Sequence, residues 1–370
     1  MAEIGRRLKR KRKALGLTLA EAARLSGIGS YQKIYKIEQG KREVKADELV
    51  ALARAYSFDL NLFLLGKSSE KQAQIFWRAE KLPEQTNLIE SKFKMFFDRF
   101  FHLQEMLGYE TGGMKLSLIT RQITSVFDAT EEGEKYSSWL NLGDRPALTF
   151  RRILEEEYNL PIFFFDMPEY TSAVSIISHN YSAVFVNKKD APWRRNFDIA
   201  HELFHVIYQQ VEPKQCGASN NRTQEMFANA FASAFLLPRD SIEREISKRR
   251  EKSTIKLSDL IILACDYDVS VDALLWRLVN LRKMKKSKVQ DILSDDAVKD
   301  YYNKLRQTKT EKTPYISDKY LCLIFDAVIQ GKMSEMSASE YLDVAVGETE
   351  RIFADAGLVW EGEPDIAITV

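Results

Sequence analysis

The chain has 370 residues, of which 45% are hydrophobic, so two or three domains with packed cores are expected and a disordered protein is excluded. The net charge is only +1, but residues 1–66 carry fourteen Lys and Arg against seven Asp and Glu, a surplus of seven positive charges that the rest of the chain offsets. This surplus favours a nucleic-acid partner for the N-terminal segment, and no run in the sequence is long and apolar enough to predict a membrane span.

Residues 1–66 are predicted to form five short helices. Thr18 is a suitable N-cap for the second helix, and Glu21 three residues later completes a capping box. A turn at residues 27–29 is followed by a third helix over residues 30–39, and Gly40 is suited to end it. Two more helices are predicted over residues 46–56 and 60–65.

This segment resembles the Xre-type helix-turn-helix domain, most clearly at Ile34-x-x-Ile37-Glu38-x-Gly40-Lys41. The resemblance implies that the third helix enters the major groove of double-stranded DNA, and that a homodimer binds an operator in the promoter of its own operon. The alternative is a protein-interaction bundle with a solvated basic face. By position, the predicted contacts to base edges and phosphates include Tyr31, Gln32, Lys33, Lys36, Arg10 and Lys41.

Residues 67–135 are predicted to be a helical linker. The stretch Leu88–Leu107 has aromatic and aliphatic residues at helical spacing, a stripe that is typical of a core or a helix-pairing surface and that could form a dimer seam. Residues 129–135 are acidic and contain Gly133, which predicts a loop before the next domain, at residues 136–281.

The domain at 136–281 is predicted to combine helices with a small antiparallel sheet. A helix over Arg151–Tyr158 precedes three β-rich runs at residues 161–166, 173–178 and 183–187. His179 lies between two of these runs, where it is either a surface histidine or a group that stabilises an oxyanion.

The sequence His201-Glu202-Leu203-Phe204-His205 lies within a run, residues 196–208, that has the apolar spacing of a helix. Because residues four apart share one helix face, His201 and His205 can bind one Zn²⁺ ion, with Glu202 beside them as a general base. This is the H-E-x-x-H signature of zinc proteases. The alternative is a buried helix whose histidines hydrogen-bond to neighbours, although the chain has only four histidines.

A third zinc ligand is predicted on the following helix. Glu225 begins a run to Pro238 in which phenylalanines recur every four residues, at 227, 231 and 235. A carboxylate on a helix packed beside the histidine helix would complete a His-His-Glu site, and Asn229, one turn later, is a candidate to support a ligand or an oxyanion. Taken alone, Glu225 would be explained as an acidic residue favoured by the helix dipole.

The run from Trp139 to Pro238 resembles the ImmA/IrrE metallopeptidases, bacterial and phage enzymes that cleave repressor proteins. The resemblance implies the zinc ligands His201, His205 and Glu225 and the catalytic base Glu202. Phe204 stands where the family usually has a small residue, which predicts a narrower cleft, and Asp198 stands where it often has Thr. The matching pieces are Leu142-Gly143-Asp144, Val186-Asn187, Arg195–His205 and Glu225–Pro238.

The region 282–370 is predicted to be a helical interaction module. It contains a basic linker at 282–288, a polar break at 307–313, at least two helices within 316–356 and a final strand at 366–370. The three cysteines of the chain are an odd number without C-x-x-C spacing, which favours a reducing cytoplasm. Cys216, between His205 and Glu225, is either a loop cysteine or a spare ligand.

These patterns together predict a mainly α (α+β) protein with an N-terminal helix-turn-helix bundle, a zincin-like peptidase domain and a helical C-terminal region. The predicted function is that of a DNA-binding, Zn²⁺-dependent endopeptidase in the cytoplasm. By the family resemblance, its protein substrate is a repressor or related regulator encoded nearby, or the chain itself. The alternative is a transcriptional regulator or antitoxin whose peptidase-like domain binds a partner and cuts nothing.

Overall fold

A computed structural model describes residues 2–66, 74–77, 86–109, 114–168, 171–178, 181–209, 221–250, 254–307 and 316–359. By their internal contacts these residues fall into two compact units. Unit 1 comprises Met1–Ile75, Glu80–Thr111 and Tyr320–Val370, and unit 2 comprises Phe76–Ala79 and Gly112–Lys319. The four-part division at residues 66, 135 and 281 stays a prediction.

The described part of the chain is mainly helical, as predicted, and has one small sheet. None of its helices is long and apolar enough to cross a membrane. In chain order the helices and strands are α1 (Ala2–Ala14), α2 (Leu19–Ser26), α3 (Tyr31–Glu38), α4 (Ala46–Ala55), α5 (Leu60–Leu65), β1 (Gln74–Trp77), α6 (Thr86–Leu107), α7 (Val126–Trp139), α8 (Phe150–Glu156), β2 (Ile162–Phe165), β3 (Ala173–Ser178), β4 (Tyr181–Asn187), α9 (Pro192–Gln209), α10 (Asn221–Leu236), α11 (Arg239–Arg249), α12 (Leu257–Asp266), α13 (Val271–Asn280), α14 (Lys286–Ser294), α15 (Asp296–Gln307), α16 (Asp318–Ile329), α17 (Glu335–Leu342) and α18 (Thr349–Asp355).

The five N-terminal helices form a small bundle in unit 1. The capping box at α2 is confirmed: the Thr18 hydroxyl accepts from the backbone N–H of Glu21, whose carboxylate accepts from the backbone N–H of Thr18. A buried ion pair, Arg12 with Glu38 at 2.6 Å, joins α1 to the end of α3. Because both side chains are buried, removing either one would leave an uncompensated charge, so the pair holds the orientation of α3.

Helix α6 supplies a further part of the core of unit 1. Its phenylalanines at 93, 96, 97 and 100 are each at most 3% exposed, and the ring of Phe96 lies 5.9 Å from that of Tyr320 in α16. Arg99 donates to the Asp59 carboxylate at 2.9 Å and to the Glu340 carbonyl at 2.8 Å. The aromatic stripe is therefore covered within the chain, as the core alternative predicts.

The sheet has the strand order β1-β3-β4-β2 and is mixed. Strand β3 pairs antiparallel with β4, with Ala173 opposite Val186, whereas β2 pairs parallel with β4, with Ile162 opposite Val184. The prediction of an antiparallel sheet is thus wrong for one pair. The hairpin of β3 and β4 turns β4 back beside β2, so that these two strands run in the same direction.

The predicted loop at residues 129–135 is wrong, because this stretch lies within α7. Ser125 caps α7 by accepting from the backbone N–H of Asp128. Gly133 is not a turn residue: a Cβ there would lie 2.4 Å from the Phe231 carbonyl oxygen and 3.0 Å from the Ala234 Cβ. The glycine permits close packing of α7 against α10, which carries a predicted metal ligand.

The predictions for the later helices of unit 2 are confirmed in part. The N-cap at Ser270 is confirmed, since its hydroxyl accepts from the backbone N–H of Ala273. Helix α14 begins at Lys286, inside the predicted basic linker, so that prediction is wrong for its last residues. Residues 67–73, 308–315 and the predicted strand at 366–370 lie outside the described residues.

Candidate metal centre and nucleic-acid interface

Helix α9 places both candidate histidines in the interior of unit 2. Its residues Leu203, Val206 and Ile207 are fully buried, and the helix packs on β3 and β4 and against α10. His201 is 0% exposed and His205 5% exposed. The four-residue spacing brings their Nε2 atoms to 3.1 Å from each other.

Helix α10 contributes the third group of the cluster. The Glu225 carboxylate lies with Oε2 at 3.1 Å from His201 Nε2 and Oε1 at 3.4 Å from His205 Nε2. Burial raises the pKa of Glu225, but hydrogen bonds and charge interactions with the two histidines outweigh it, so its pKa lies well below the ordinary value of 4.5. Glu225 is therefore an anion at neutral pH.

The donor atoms of these three residues fit a tetrahedral metal ion. Ligand atoms bound about 2.0–2.2 Å from Zn²⁺ are about 3.3–3.6 Å apart in a tetrahedral site. The observed separations of 3.1, 3.1 and 3.4 Å are within a few tenths of an ångström of that range. Two imidazoles and one carboxylate are also the donor set of known catalytic zinc sites, which leave one position open.

Asn229 determines which nitrogen of His201 can bind a metal. Its Oδ1 lies 3.0 Å from His201 Nδ1, and because an amide oxygen can only accept, this contact fits the tautomer that carries its proton on Nδ1. The lone pair of His201 is then on Nε2, the atom that faces His205 and Glu225. This is the common arrangement in which a hydrogen-bond acceptor orients a metal-binding histidine.

Glu202 follows His201 directly in α9 and is not one of the three grouped residues. Its side chain is 1% exposed, and its position one residue after His201 turns it about 100° around the helix from the ligand face. A buried carboxylate next in sequence to His201 is a candidate for the general base of a metal site.

Phe204 and Asp198, the two residues at which the sequence departs from the family it resembles, are both buried. Phe204 is 0% exposed, and its ring lies 5.2 Å from that of Tyr208 and 5.5 Å from that of Phe231. Its bulk thus packs between α9 and α10. Asp198 is 1% exposed, and its Oδ2 lies 3.8 Å from Arg194 Nε. His179 and Cys216 lie outside the described residues.

The predicted DNA contacts share one property, which is exposure to solvent. Ser30 starts α3 without a side-chain cap, and the buried Ile34 and Ile37 anchor the helix on the bundle. Tyr35, four residues after Tyr31 on the same helix, is also exposed, at 45%. The exposed residues from the prediction are Tyr31, Gln32, Lys33, Lys36, Arg10 and Lys41.

Two protein-family models match the chain, one in each of its two predicted functional regions. Residues 155–279 match the model of the IrrE N-terminal-like domain, which is a peptidase family. Residues 3–63 match the model of a helix-turn-helix domain. The chain therefore combines an N-terminal helix-turn-helix domain with an IrrE/ImmA-like, metallopeptidase-like domain, as the resemblances predict. No curated protein matches the chain.

Proposed function

We propose that this protein is a DNA-binding, Zn²⁺-dependent endopeptidase of the cytoplasm that cleaves a repressor or another helix-turn-helix regulator. The observation that carries the proposal is the cluster of His201, His205 and Glu225, whose donor atoms lie within 3.4 Å of one another. Glu202, which follows His201 in α9, is also buried. The matched peptidase family supports the same activity.

His201, His205 and Glu225 would hold the metal ion. When bound, Zn²⁺ supplies Lewis-acid activation of a water molecule and of the scissile carbonyl. Glu202 takes a proton from the attacking water and delivers it to the leaving amine, which is the work of a general base followed by a general acid. Asn229 keeps the Nδ1 proton of His201 in place and thereby holds the ring in its binding orientation.

The helix-turn-helix domain supplies the second part of the proposal. Tyr31, Gln32, Lys33 and Lys36 would face base edges in the major groove, while Arg10 and Lys41 would contact phosphates. Binding to the promoter of its own operon as a homodimer would bring the peptidase to an operator-bound substrate. The substrate would then be a regulator encoded nearby, or the chain itself.

The experiment compares purified wild type with Glu202→Gln and His205→Ala on the regulators encoded beside the gene. Wild type should bind about one Zn²⁺ per chain. It should also cut one of these regulators, and mass spectrometry should detect the fragments. Glu202→Gln should keep the metal and lose turnover by orders of magnitude, and His205→Ala should lose the metal. The exposed Glu156→Gln is the matched control and should behave like wild type.

Three outcomes would contradict the proposal. Cleavage by Glu202→Gln at the wild-type rate would mean that another group is the base. Tight binding of a partner that metal-loaded wild type never cuts would identify a regulator whose peptidase-like domain only binds. Full metal occupancy in His205→Ala would exclude the assigned ligand set.

A further inference from the structure

Five basic residues are concentrated in unit 2 where α13 ends and α14 begins. Residues 67–370 carry a net charge of −6, yet the short run 282–288 contains no Asp or Glu. All five basic side chains are exposed to solvent. We call them the α13–α14 basic patch, and they are Arg282, Lys283, Lys285, Lys286 and Lys288. No step of the proposed peptidase mechanism uses this patch.

Main-chain contacts fix the turn that carries the patch. The backbone N–H groups of Lys283 and Met284 both donate to the Leu278 carbonyl, at 2.8 and 3.3 Å. Arg282 adopts the left-handed conformation with a φ of 57°. Val289, in the first half of α14, is buried in the core of unit 2. The cations therefore project from a fixed frame, which limits the conformational entropy that an ordered partner would cost them.

Few carboxylates offset the charge of the patch. Lys283 Nζ lies 3.2 Å from Glu243 Oε1, and Lys286 Nζ lies 5.9 Å from the centre of the Trp276 ring. Within the described part of the chain, no ion pair is formed by the remaining basic side chains of the patch or by Lys286. Most of the positive charge of the patch is thus available to an external anion.

The charges of α14 oppose the dipole of the helix. A helix favours anions at its N-terminus and cations at its C-terminus. The first turn of α14 instead carries Lys286 and Lys288 and no acidic residue, while Asp291 lies in the second half and Asp295 follows the last residue. Lys285 at the N-cap position makes no side-chain cap. Helix stability therefore does not explain these cations, whereas a bound anion would relieve their repulsion.

Duplex DNA is the polyanion that the surroundings of the patch favour. Clusters of Lys and Arg bind DNA phosphates without regard to sequence. Residues 282–288 include no aromatic residue on which single-stranded bases could stack. The apolar residues of α14 pack into the core of unit 2, which leaves no apolar face for a membrane surface. The match of residues 3–63 to a helix-turn-helix domain gives the same chain a second reason to meet DNA.

We propose that the α13–α14 basic patch binds the phosphates of duplex DNA, which gives unit 2 a DNA contact of its own besides the predicted contacts of the helix-turn-helix domain. The contact is independent of base sequence. It weakens as the salt concentration rises, because binding releases the counterions of the phosphates. It requires neither the candidate metal centre nor the base-reading residues of α3.

The test measures binding of the full-length protein to a fluorescein-labelled random-sequence duplex of about 40 base pairs, by anisotropy over a salt series. A background protein with weakened helix-turn-helix contacts carries Arg10→Ala, Gln32→Ala and Lys41→Ala. The patch variant adds to this background Lys285→Gln, Lys286→Gln and Lys288→Gln. The matched control instead removes three exposed lysines of unit 2 that lie 2.7–3.9 Å from carboxylate oxygens, by Lys135→Gln, Lys189→Gln and Lys248→Gln.

The patch variant should bind the duplex at least about tenfold more weakly than the background protein at low salt. Its slope of log affinity against log salt should be smaller by about two to three, because three phosphate contacts are lost. The matched control should keep the affinity of the background protein within about twofold. If the patch variant fails to fold, Lys288→Gln alone in the background protein should reduce the slope by about one.

Thermal unfolding separates a binding role of the patch from a structural one. The patch variant removes cations from a helix N-terminus, so its melting temperature should equal or exceed that of the background protein. A lower melting temperature together with an unchanged salt slope would assign the lysines to stability and overturn the inference.

Equal salt slopes of the background protein, the patch variant and the control would also overturn the inference, as would a background protein that does not bind the duplex. Polyglutamate is the second probe. If the patch variant alone lost binding to polyglutamate while its DNA slope stayed unchanged, the surface would belong to an acidic protein segment and not to DNA. Comparison of wild type with the background protein tests the helix-turn-helix contacts separately, so the two failures are distinguishable.

Discussion

The buried carboxyl group of Glu155 makes the stability of unit 2 depend on pH. Glu155 is 2% exposed, and its Oε1 atom accepts hydrogen bonds from the backbone N–H of Ile162 at 3.1 Å and from the Ser317 hydroxyl. Burial raises the pKa of Glu155 from 4.5 to about 7, against the smaller opposing effect of these two hydrogen bonds. The Glu155 carboxyl group thus links Ser317, the residue before α16, to the end of α8.

The sign of the effect follows from the raised pKa. Between pH 4.5 and about 7 the folded protein holds a proton on Glu155 that the unfolded chain has released, so stability falls as the pH rises through this window. The contribution is fully present below pH 4.5. At about 1.4 kcal/mol per pKa unit, the loss above pH 7 reaches roughly 3 kcal/mol.

Glu155→Gln should remove this dependence on pH. A glutamine oxygen can accept the same two hydrogen bonds, and its amide takes the place of the protonated oxygen. The variant should match wild type at pH 5 and exceed it in free energy of unfolding by up to about 3 kcal/mol at pH 8. The matched control is Glu156→Gln, because Glu156 is exposed and pairs with Arg152 at the surface.

The assay is urea unfolding at pH 5, 6, 7 and 8, followed by tryptophan fluorescence, to which Trp139, Trp193 and Trp276 of unit 2 contribute. The quantity of interest is the stability difference between Glu155→Gln and Glu156→Gln at each pH. A difference that stays constant from pH 5 to pH 8 would refute the reasoning, because it would mean that Glu155 titrates alike in the folded and unfolded chains.

Four other substitutions have predicted outcomes of different kinds. Gly133→Ala should lower the free energy of unfolding by about 1–3 kcal/mol, because its Cβ would lie 2.4 Å from the Phe231 carbonyl oxygen; an unchanged thermal midpoint would contradict the close packing. Asn229→Ala should weaken Zn²⁺ affinity about 10–100-fold in competition with a chelator, and unaltered affinity would show that it orients no ligand. Gln32→Ala should cost roughly 1–3 kcal/mol on a specific operator and little on random DNA, whereas Arg10→Ala should weaken both alike and flatten the salt slope by about one. Gel shifts over a series of salt concentrations measure both effects on DNA affinity. An absence of salt-dependent DNA binding by the wild-type chain would indicate that residues 1–66 are a protein-docking bundle instead.

Features that depend on a few neighbouring residues were predictable from the sequence. The capping box of Thr18 and Glu21 closes within one helical turn, and the spacing of His201 and His205 alone places both rings on one helix face. The helices of the N-terminal bundle follow the same local logic, since their apolar spacing decides which face is buried. For these features, sequence neighbours are also spatial neighbours.

Features that join distant parts of the chain were decided only by the tertiary structure. From the sequence, Gly133 was predicted to lie in a loop, because no residue near it in the sequence indicates that the Phe231 carbonyl lies against it. The parallel pairing of β2 with β4 depends on where the intervening strand lies. Likewise the raised pKa of Glu155 and the 3.1 Å distance from His201 to Glu225 come from burial and from contacts between separate helices. Local patterns specify helices and caps, whereas close packing sets the distances and the low-polarity surroundings on which the chemistry depends.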